Sequence, residues 1–127
     1  MPAISIVIPT YNCEEYISAT LDSLLAQTLQ DFELIVIDDC STDRSLEIIE
    51  SYIPKFGRER FQLIKRRENS GSGTWIRNEF VNLATGKYML FLDNDDLLMS
   101  YALQTFFVIT TYNGKRMKLL ISLITKP

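Results

Sequence analysis

Asp93-Asn94-Asp95-Asp96 closes the apolar run Tyr88-Met89-Leu90-Phe91-Leu92, and a strand that delivers several carboxylates to its C-terminal tip makes a site for a hard cation. Mg²⁺ typically takes one or two protein carboxylates and leaves the rest of its octahedron to phosphates and water, so an Asp-x-Asp pair implies a substrate that brings its own oxygens. That points to a metal diphosphate, and so to nucleotide chemistry. An EF-hand calcium loop does not fit: counting from Asp93, Leu98 stands where the sharp-turn glycine belongs and Gln104 where the bidentate glutamate belongs. Histidine is absent from the 127 residues, which removes Ser-His and Cys-His catalysis and His-ligated zinc. Carboxylates are left as the principal groups for metal or proton chemistry.

The elements that must position these acids can be read from periodicity. Ile4-Ser5-Ile6-Val7-Ile8 is a strand that stops at Pro9, which cannot continue a central ladder. Asn12, with Glu15 three residues on, is expected to cap a first helix whose inner face carries Ile17, Leu21, Leu24 and Leu25 and which ends near Gln27. Phe32 to Ile37 is an almost unbroken apolar run, as a central strand covered on both faces requires. Ser41, Thr42 and Asp43 offer caps for a second helix bearing Leu46, Ile49 and Ile53, which Pro54 is expected to close. A third strand, Phe61 to Ile64, is followed by the polar link Glu68 to Gly73. A third helix then turns Ile76, Phe80, Leu83 and Ala84 inward and ends at Gly86 as a left-handed residue. Tyr88 to Leu92 is the fourth strand. Four strand–helix alternations without repeats predict an α/β domain with a mostly parallel sheet and right-handed crossovers, whose ligands sit beyond the C-terminal strand ends. Thr10 to Asn12, Asp38 and Asp39, Asn69 to Gly73, and Asp93 to Asp96 all fall at that edge.

Composition narrows the function classes. A hydrophobic content of 46% suits one compact domain. A net charge of −3 with a pI near 4.9 gives no general basic field, so no nucleic acid partner is expected. The N-terminal residues show no export signal, no stretch is long and apolar enough to be a transmembrane segment, and a cytoplasmic location follows, with peripheral attachment at the cytoplasmic membrane left open. Cys13 and Cys40 each follow a strand and are expected to remain thiols.

In this order and spacing, Ile6-Val7-Ile8-Pro9-Thr10-Tyr11-Asn12, Val36-Ile37-Asp38-Asp39-Cys40-Ser41-Thr42-Asp43, Arg77-Asn78, Thr85-Gly86 and Phe91-Leu92-Asp93-Asn94-Asp95-Asp96 resemble the nucleotide-binding half of a family 2 glycosyltransferase of GT-A fold. The resemblance implies inverting transfer of a sugar from a nucleoside diphosphate, most often uridine diphosphate, to a saccharide or lipid-linked acceptor. It also implies a Mn²⁺ or Mg²⁺ cofactor. By position, Pro9, Thr10 and Tyr11 look like the wall of the base pocket, and Asp39, with Asp38 beside it, like the acceptor for the base. Uracil and thymine offer a ring N–H to such an acceptor and cytosine does not. Asp93 resembles the residue that meets the ribose or a water on the metal, and Asp95 the direct metal ligand. Asn94 and Arg77 complete the donor site on the same analogy, and Asn69 and Gly71 are expected to shape its rim through backbone flexibility.

Some residues depart from the family pattern. Cys40 stands where glycine is frequent, so the loop after the second strand either lacks a left-handed residue or carries strain. Trp75-Ile76 precedes Arg77 where small residues are usual. Residues 1–99 resemble the donor half of the domain, whereas residues 100–127 read as a divergent tail, and the acceptor half with its general base is missing. A truncated or shifted reading frame would produce that pattern, and resequencing the gene tests it. The basic and apolar stretch Met117 to Ile124 suits an added strand or disorder better than a membrane surface. A truncated domain would also expose an apolar edge, which suggests self-association. Two readings stay open: an active transferase, and an inert module that binds the donor without turnover. A dinucleotide oxidoreductase lacks its G-x-G-x-x-G turn after the first strand, and a receiver domain lacks its acid pair there.

Overall fold

A computed structural model describes residues 1–71, 81–113 and 124–125. The elements in chain order are β1 (Ile4–Thr10), α1 (Ile17–Leu25), β2 (Phe32–Asp38), α2 (Ser45–Phe56), β3 (Phe61–Lys65), a 3₁₀ turn (Val81–Leu83), β4 (Tyr88–Phe91), β5 (Leu97–Leu98), α3 (Ala102–Asn113) and β6 (Ile124–Thr125). The sheet order is β3-β2-β1-β4, all parallel, with β5 and β6 pairing antiparallel beside it. The expected α/β alternation and parallel sheet are therefore present.

The strand sequences divide between two faces as the period of two requires. Ile4, Ile6, Ile8, Leu34, Val36 and Leu90 join α1, α2 and α3 in the main core, while Val7, Ile35 and Ile37 form a second cluster with Ala84, Met89 and Phe91. Burial on both faces explains why β2 is an unbroken apolar run. Ala102, Leu103 and Phe106 of α3 lie in the main core, with the Phe106 ring 6.1 Å edge-on to Tyr88.

Several local expectations give way to longer-range contacts. Asn12 does not cap α1, whose N-cap is Tyr16 with no side-chain hydrogen bond. Asn12 takes the left-handed conformation at φ 45°, its Oδ1 accepts Thr42 N–H at 2.8 Å, and its own N–H donates to Ser41 Oγ, so it ties the β1–α1 loop to the β2–α2 loop. Pro54 does not close α2, which runs through it to Phe56. The last turn is held by the buried Phe56 ring, packed against Phe32 and Phe61, and α2 stops at Gly57, φ 98°. Cys40 does adopt φ 65°, which costs a non-glycine residue about 1–2 kcal/mol. Of the expected third helix, Ile76 and Phe80 lie outside the described residues. Leu83 is exposed while Ala84 packs inward, because the 3₁₀ turn ends at Leu83 and the two residues share no helical face.

Gly86 differs from its expected role as well. The described glycines with positive φ are Gly57 and Gly71, not Gly86. Gly86 instead lies against β1, where its N–H donates to Ser5 Oγ at 2.7 Å. Ser5 in turn donates to Glu33 Oε1 at 2.5 Å, which also accepts Thr85 N–H at 2.6 Å. Burial pushes the Glu33 carboxyl up, but these hydrogen bonds outweigh it and hold the group below its ordinary value of 4.5. A carboxylate depressed in the folded state contributes stability above its unfolded value and loses it as pH falls through the folded one. Glu33→Gln is accordingly expected to cost stability at neutral pH and little in acid. Thermal melting of both proteins between about pH 6 and about pH 3 should show the gap closing; a gap that widens in acid would contradict the assignment.

Candidate functional site

Three strands end in register, Thr10 opposite Asp38 and Asp38 opposite Lys65, while Phe91 on β4 pairs with Val7. The chain winds from β1 outward through β2 to β3 and then crosses back to place β4 on the other side of β1. The carboxyl ends of β1 and β4 are thus the topological switch point, where open α/β sheets hold their ligands. The acidic turn stands at this point.

In the turn, Asp96 N–H donates to Asp93 C=O at 3.1 Å, and Asp93 N–H donates back to Asp96 Oδ2 at 3.2 Å. This brings one carboxylate oxygen each from Asp93, Asp95 and Asp96 within 4.8 Å of one another. Like charges this close repel, and a hard divalent cation with oxygen ligands relieves the repulsion, so the donor set fits Mg²⁺ or Mn²⁺. Asp93 is exposed, Asp95 partly so, and Asp96 is 6% exposed. The sequence reading gave metal roles to Asp93 and Asp95 and named Asp96 only as part of the acidic run; the fold brings its carboxylate into the same cluster.

A polar row along α1 and the turn after it, also unforeseen, fixes this segment. Thr20 Oγ1 donates to Asn94 C=O at 3.0 Å, Ser23 Oγ accepts Leu98 N–H, and Gln27 Nε2 donates to Met99 C=O at 2.8 Å while its Oε1 accepts Leu103 N–H. Thr20 and Ser23 are neighbours on one face of α1, and Gln27 continues the row just beyond the helix end. From the other side, Asn94 Nδ2 donates to Pro9 C=O at 3.3 Å, which joins the acidic turn to the end of β1.

The β1 and β2 ends are joined in the same way. Asp39 N–H donates to Thr10 C=O at 2.8 Å. Asp38, 2% exposed, spends its carboxylate internally: Oδ1 accepts the Ser41 hydroxyl at 2.6 Å and the Thr10 hydroxyl at 3.3 Å, and Oδ2 accepts Ser41 N–H. Asp39 is held from the loop after β3, where Ser70 donates its N–H and its hydroxyl and Arg66 forms an ion pair at 3.1 Å. Asn69 Nδ2 donates to Asp39 C=O at 3.1 Å, and Gly71 N–H to Asn69 Oδ1, with Gly71 at φ 72°. Tyr11 is 47% exposed and Pro9 partly so, which leaves surface for a ring to stack against. Pro9, Thr10, Tyr11, Asp38, Asp39, Asn69, Gly71, Asp93, Asn94 and Asp95 all gather at one edge; Arg77 lies outside the described residues.

Cys13 and Cys40 are free thiols, Cys13 buried with its thiol pushed up to about 11 by desolvation, Cys40 exposed at the loop after β2. A groove of about 470 Å³ lies along α2 and β3 and one of about 280 Å³ at the starts of β2 and β3, and neither is lined by the acidic turn or by Asp39.

The family model for glycosyl transferase family 2 matches residues 5–116. The chain belongs to that family. It is 48% identical over 102 residues to the poly(ribitol-phosphate) beta-glucosyltransferase of Bacillus spizizenii, covering 79% of this chain and 16% of that protein. It is 41% identical over 100 residues to the poly(ribitol-phosphate) beta-N-acetylglucosaminyltransferase TarS of Staphylococcus aureus, covering 77% of this chain and 17% of that one. The crystal structure of S. aureus TarS 1-349 in complex with UDP-GlcNAc superimposes with a TM-score of 0.81 at 34% identity, over 88% of this chain and 32% of that chain. The described residues therefore form the N-terminal part of the GT-A fold of these family 2 enzymes, and the chain spans only about a sixth of the two curated relatives. Among the described residues no helix is long and apolar enough to cross a membrane.

Proposed function

We propose that this chain binds a uridine diphosphate sugar at the carboxyl edge of β1, β2 and β4 and serves as the donor site for inverting transfer of the sugar to a saccharide or lipid-linked acceptor of the cell envelope. The observation that carries this reading is the carboxylate triad within 4.8 Å at the switch point, one hydrogen bond from Pro9. UDP and UDP-GlcNAc are the ligands of TarS crystal structures that share this fold.

Each residue has a part in that chemistry. Tyr11 and Pro9 flank the base, and Thr10 anchors the wall through Asp38. Asp39 accepts the ring N–H of uracil, while Asp38, turned inward, shapes the loop that presents it. Asn69 and Gly71 form the rim, and Arg77 is assigned a donor-binding part only from its match to the family's sequence pattern. Asp93, Asp95 and Asp96 would hold Mn²⁺ or Mg²⁺, which supplies positive charge to the departing diphosphate. Asn94, pinned to Pro9 and Thr20, keeps that turn beside the base wall. No acid of the chain is assigned as general base. Work at a cytoplasmic membrane surface and self-association through exposed apolar residues such as Val108 belong to the same proposal.

Titration calorimetry with UDP, dTDP, GDP and CDP, with and without Mn²⁺, tests it. Binding of UDP or dTDP that strengthens with Mn²⁺ is expected, and release of UDP from UDP-sugar would separate a catalytic chain from a binding module. A folded sample that binds none of the four nucleotides would refute the donor-site reading.

A further inference from the structure

The segment after β3 closes on the carboxylate of Asp39 at the end of β2, and its two oxygens are not equivalent. Oδ1 is faced by Ser70 N–H at 2.9 Å and by Arg66 Nε at 3.1 Å, whereas Oδ2 accepts the Ser70 hydroxyl at 2.7 Å and a longer share of the same N–H at 3.1 Å. The partners of Oδ1 are set by the fold. Arg66 follows β3 directly, and its own N–H extends the ladder to Asp38 C=O at 2.9 Å, so its guanidinium reaches Asp39 from a fixed backbone. The side chains of the pair are only 16% and 7% exposed, where an ion pair is screened little by solvent. The partner of Oδ2 is mainly a hydroxyl, which can rotate aside.

We propose that Arg66 is a positioning and specificity-determining residue that holds Asp39 Oδ1 and thereby leaves Oδ2 to accept a ring N–H, so that the site selects uracil or thymine over cytosine. The inference rests on the reading of Asp39 as the base acceptor. It also fixes the orientation of an amide at that position. In Asp39→Asn the amide oxygen takes the Oδ1 place, toward the cation and the Ser70 N–H, so the NH₂ group takes the Oδ2 place and offers a donor to the base. Cytosine, whose ring nitrogen accepts, then becomes the better partner.

The experiment is calorimetric titration of UDP and CDP, both with Mn²⁺, against the full chain, Arg66→Gln, Arg66→Lys and Asp39→Asn, with thermal melting of each. Arg66→Gln is expected to weaken UDP about tenfold and leave CDP within about twofold, because one oriented hydrogen bond to the base is degraded. Arg66→Lys should recover part of the UDP preference, as a point charge without the guanidinium's planar fork. Asp39→Asn should turn the preference toward CDP. Equal weakening of both nucleotides in the Arg66 variants, or an unchanged UDP to CDP ratio, would overturn the proposal, and Arg66→Lys decides the matter if Arg66→Gln melts below the assay temperature. If Asp39→Asn leaves the ratio at its wild-type value, the base-acceptor reading fails, and the inference with it; if Asp39→Asn changes the ratio while the Arg66 variants do not, only the role of Arg66 falls.

Discussion

Asp95→Ala is expected to remove the metal dependence of UDP binding, so that the affinity gained on adding Mn²⁺ falls from about a hundredfold to nearly none. The reason is the geometry of the acidic turn, in which three carboxylates lie within 4.8 Å and are held there by the reciprocal Asp93–Asp96 hydrogen bonds and by Thr20 on α1. Without a cation, three negative groups so close repel one another, and deleting one relieves part of that cost. The variant's melting temperature without metal should therefore equal or exceed that of the wild type. The combination distinguishes loss of a ligand from loss of fold. Calorimetry with and without Mn²⁺, paired with melting curves, reads both quantities. Retention of the full metal effect in Asp95→Ala would rule out this turn as the cation site.

The largest effect on stability is expected at Gly86. A Cβ there would lie 2.7 Å from Ser5 N and Oγ and 2.8 Å from Ile4 C, and two of these three atoms belong to the backbone of β1, an inner strand hydrogen-bonded on both sides. Neither side can yield without breaking the ladder, so Gly86→Ala should cost about 3 kcal/mol and lower the melting temperature by about 10 °C. Gly71 provides the contrast. It has open space for a Cβ but a φ of 72°, so Gly71→Ala meets only the left-handed penalty of about 1 kcal/mol. Thermal denaturation of the two variants side by side checks the ranking. Equal losses would mean that close approach to Ser5 does not govern Gly86.

Both predictions concern residues singled out in the sequence, yet for Gly86 the sequence suggested the wrong reason. Glycine after a helical pattern is ordinarily a left-handed stop, and only the placement of residue 86 against Ser5, 81 positions earlier, shows that the missing side chain makes room for a strand. Asn12 and Pro54 follow the same logic. An asparagine ahead of a helix reads as a cap until the partner loop at Thr42 is known, and a proline reads as a helix end until Phe56 is seen packed between Phe32 and Phe61. Local propensity is worth about 1 kcal/mol per residue, and tertiary contacts of this size override it.

The sequence alone determined the features carried by contiguous residues. Strand and helix periods, the apolar run of β2 and the clustering of acids after β4 are local patterns, because a strand alternates every second residue and a helix recurs every 3.6 whatever the rest of the chain does. The order of those elements was enough to predict a parallel sheet with its polar residues at one edge. The tertiary structure decided which of those residues share a partner. It buried Asp38 and Asp96, set the Thr20, Ser23 and Gln27 row under the acidic turn, and paired Arg66 with Asp39 across 27 positions. Those pairings depend on strand register and on the crossover that returns β4 to the side of β1, which are properties of the assembled sheet and of no single segment.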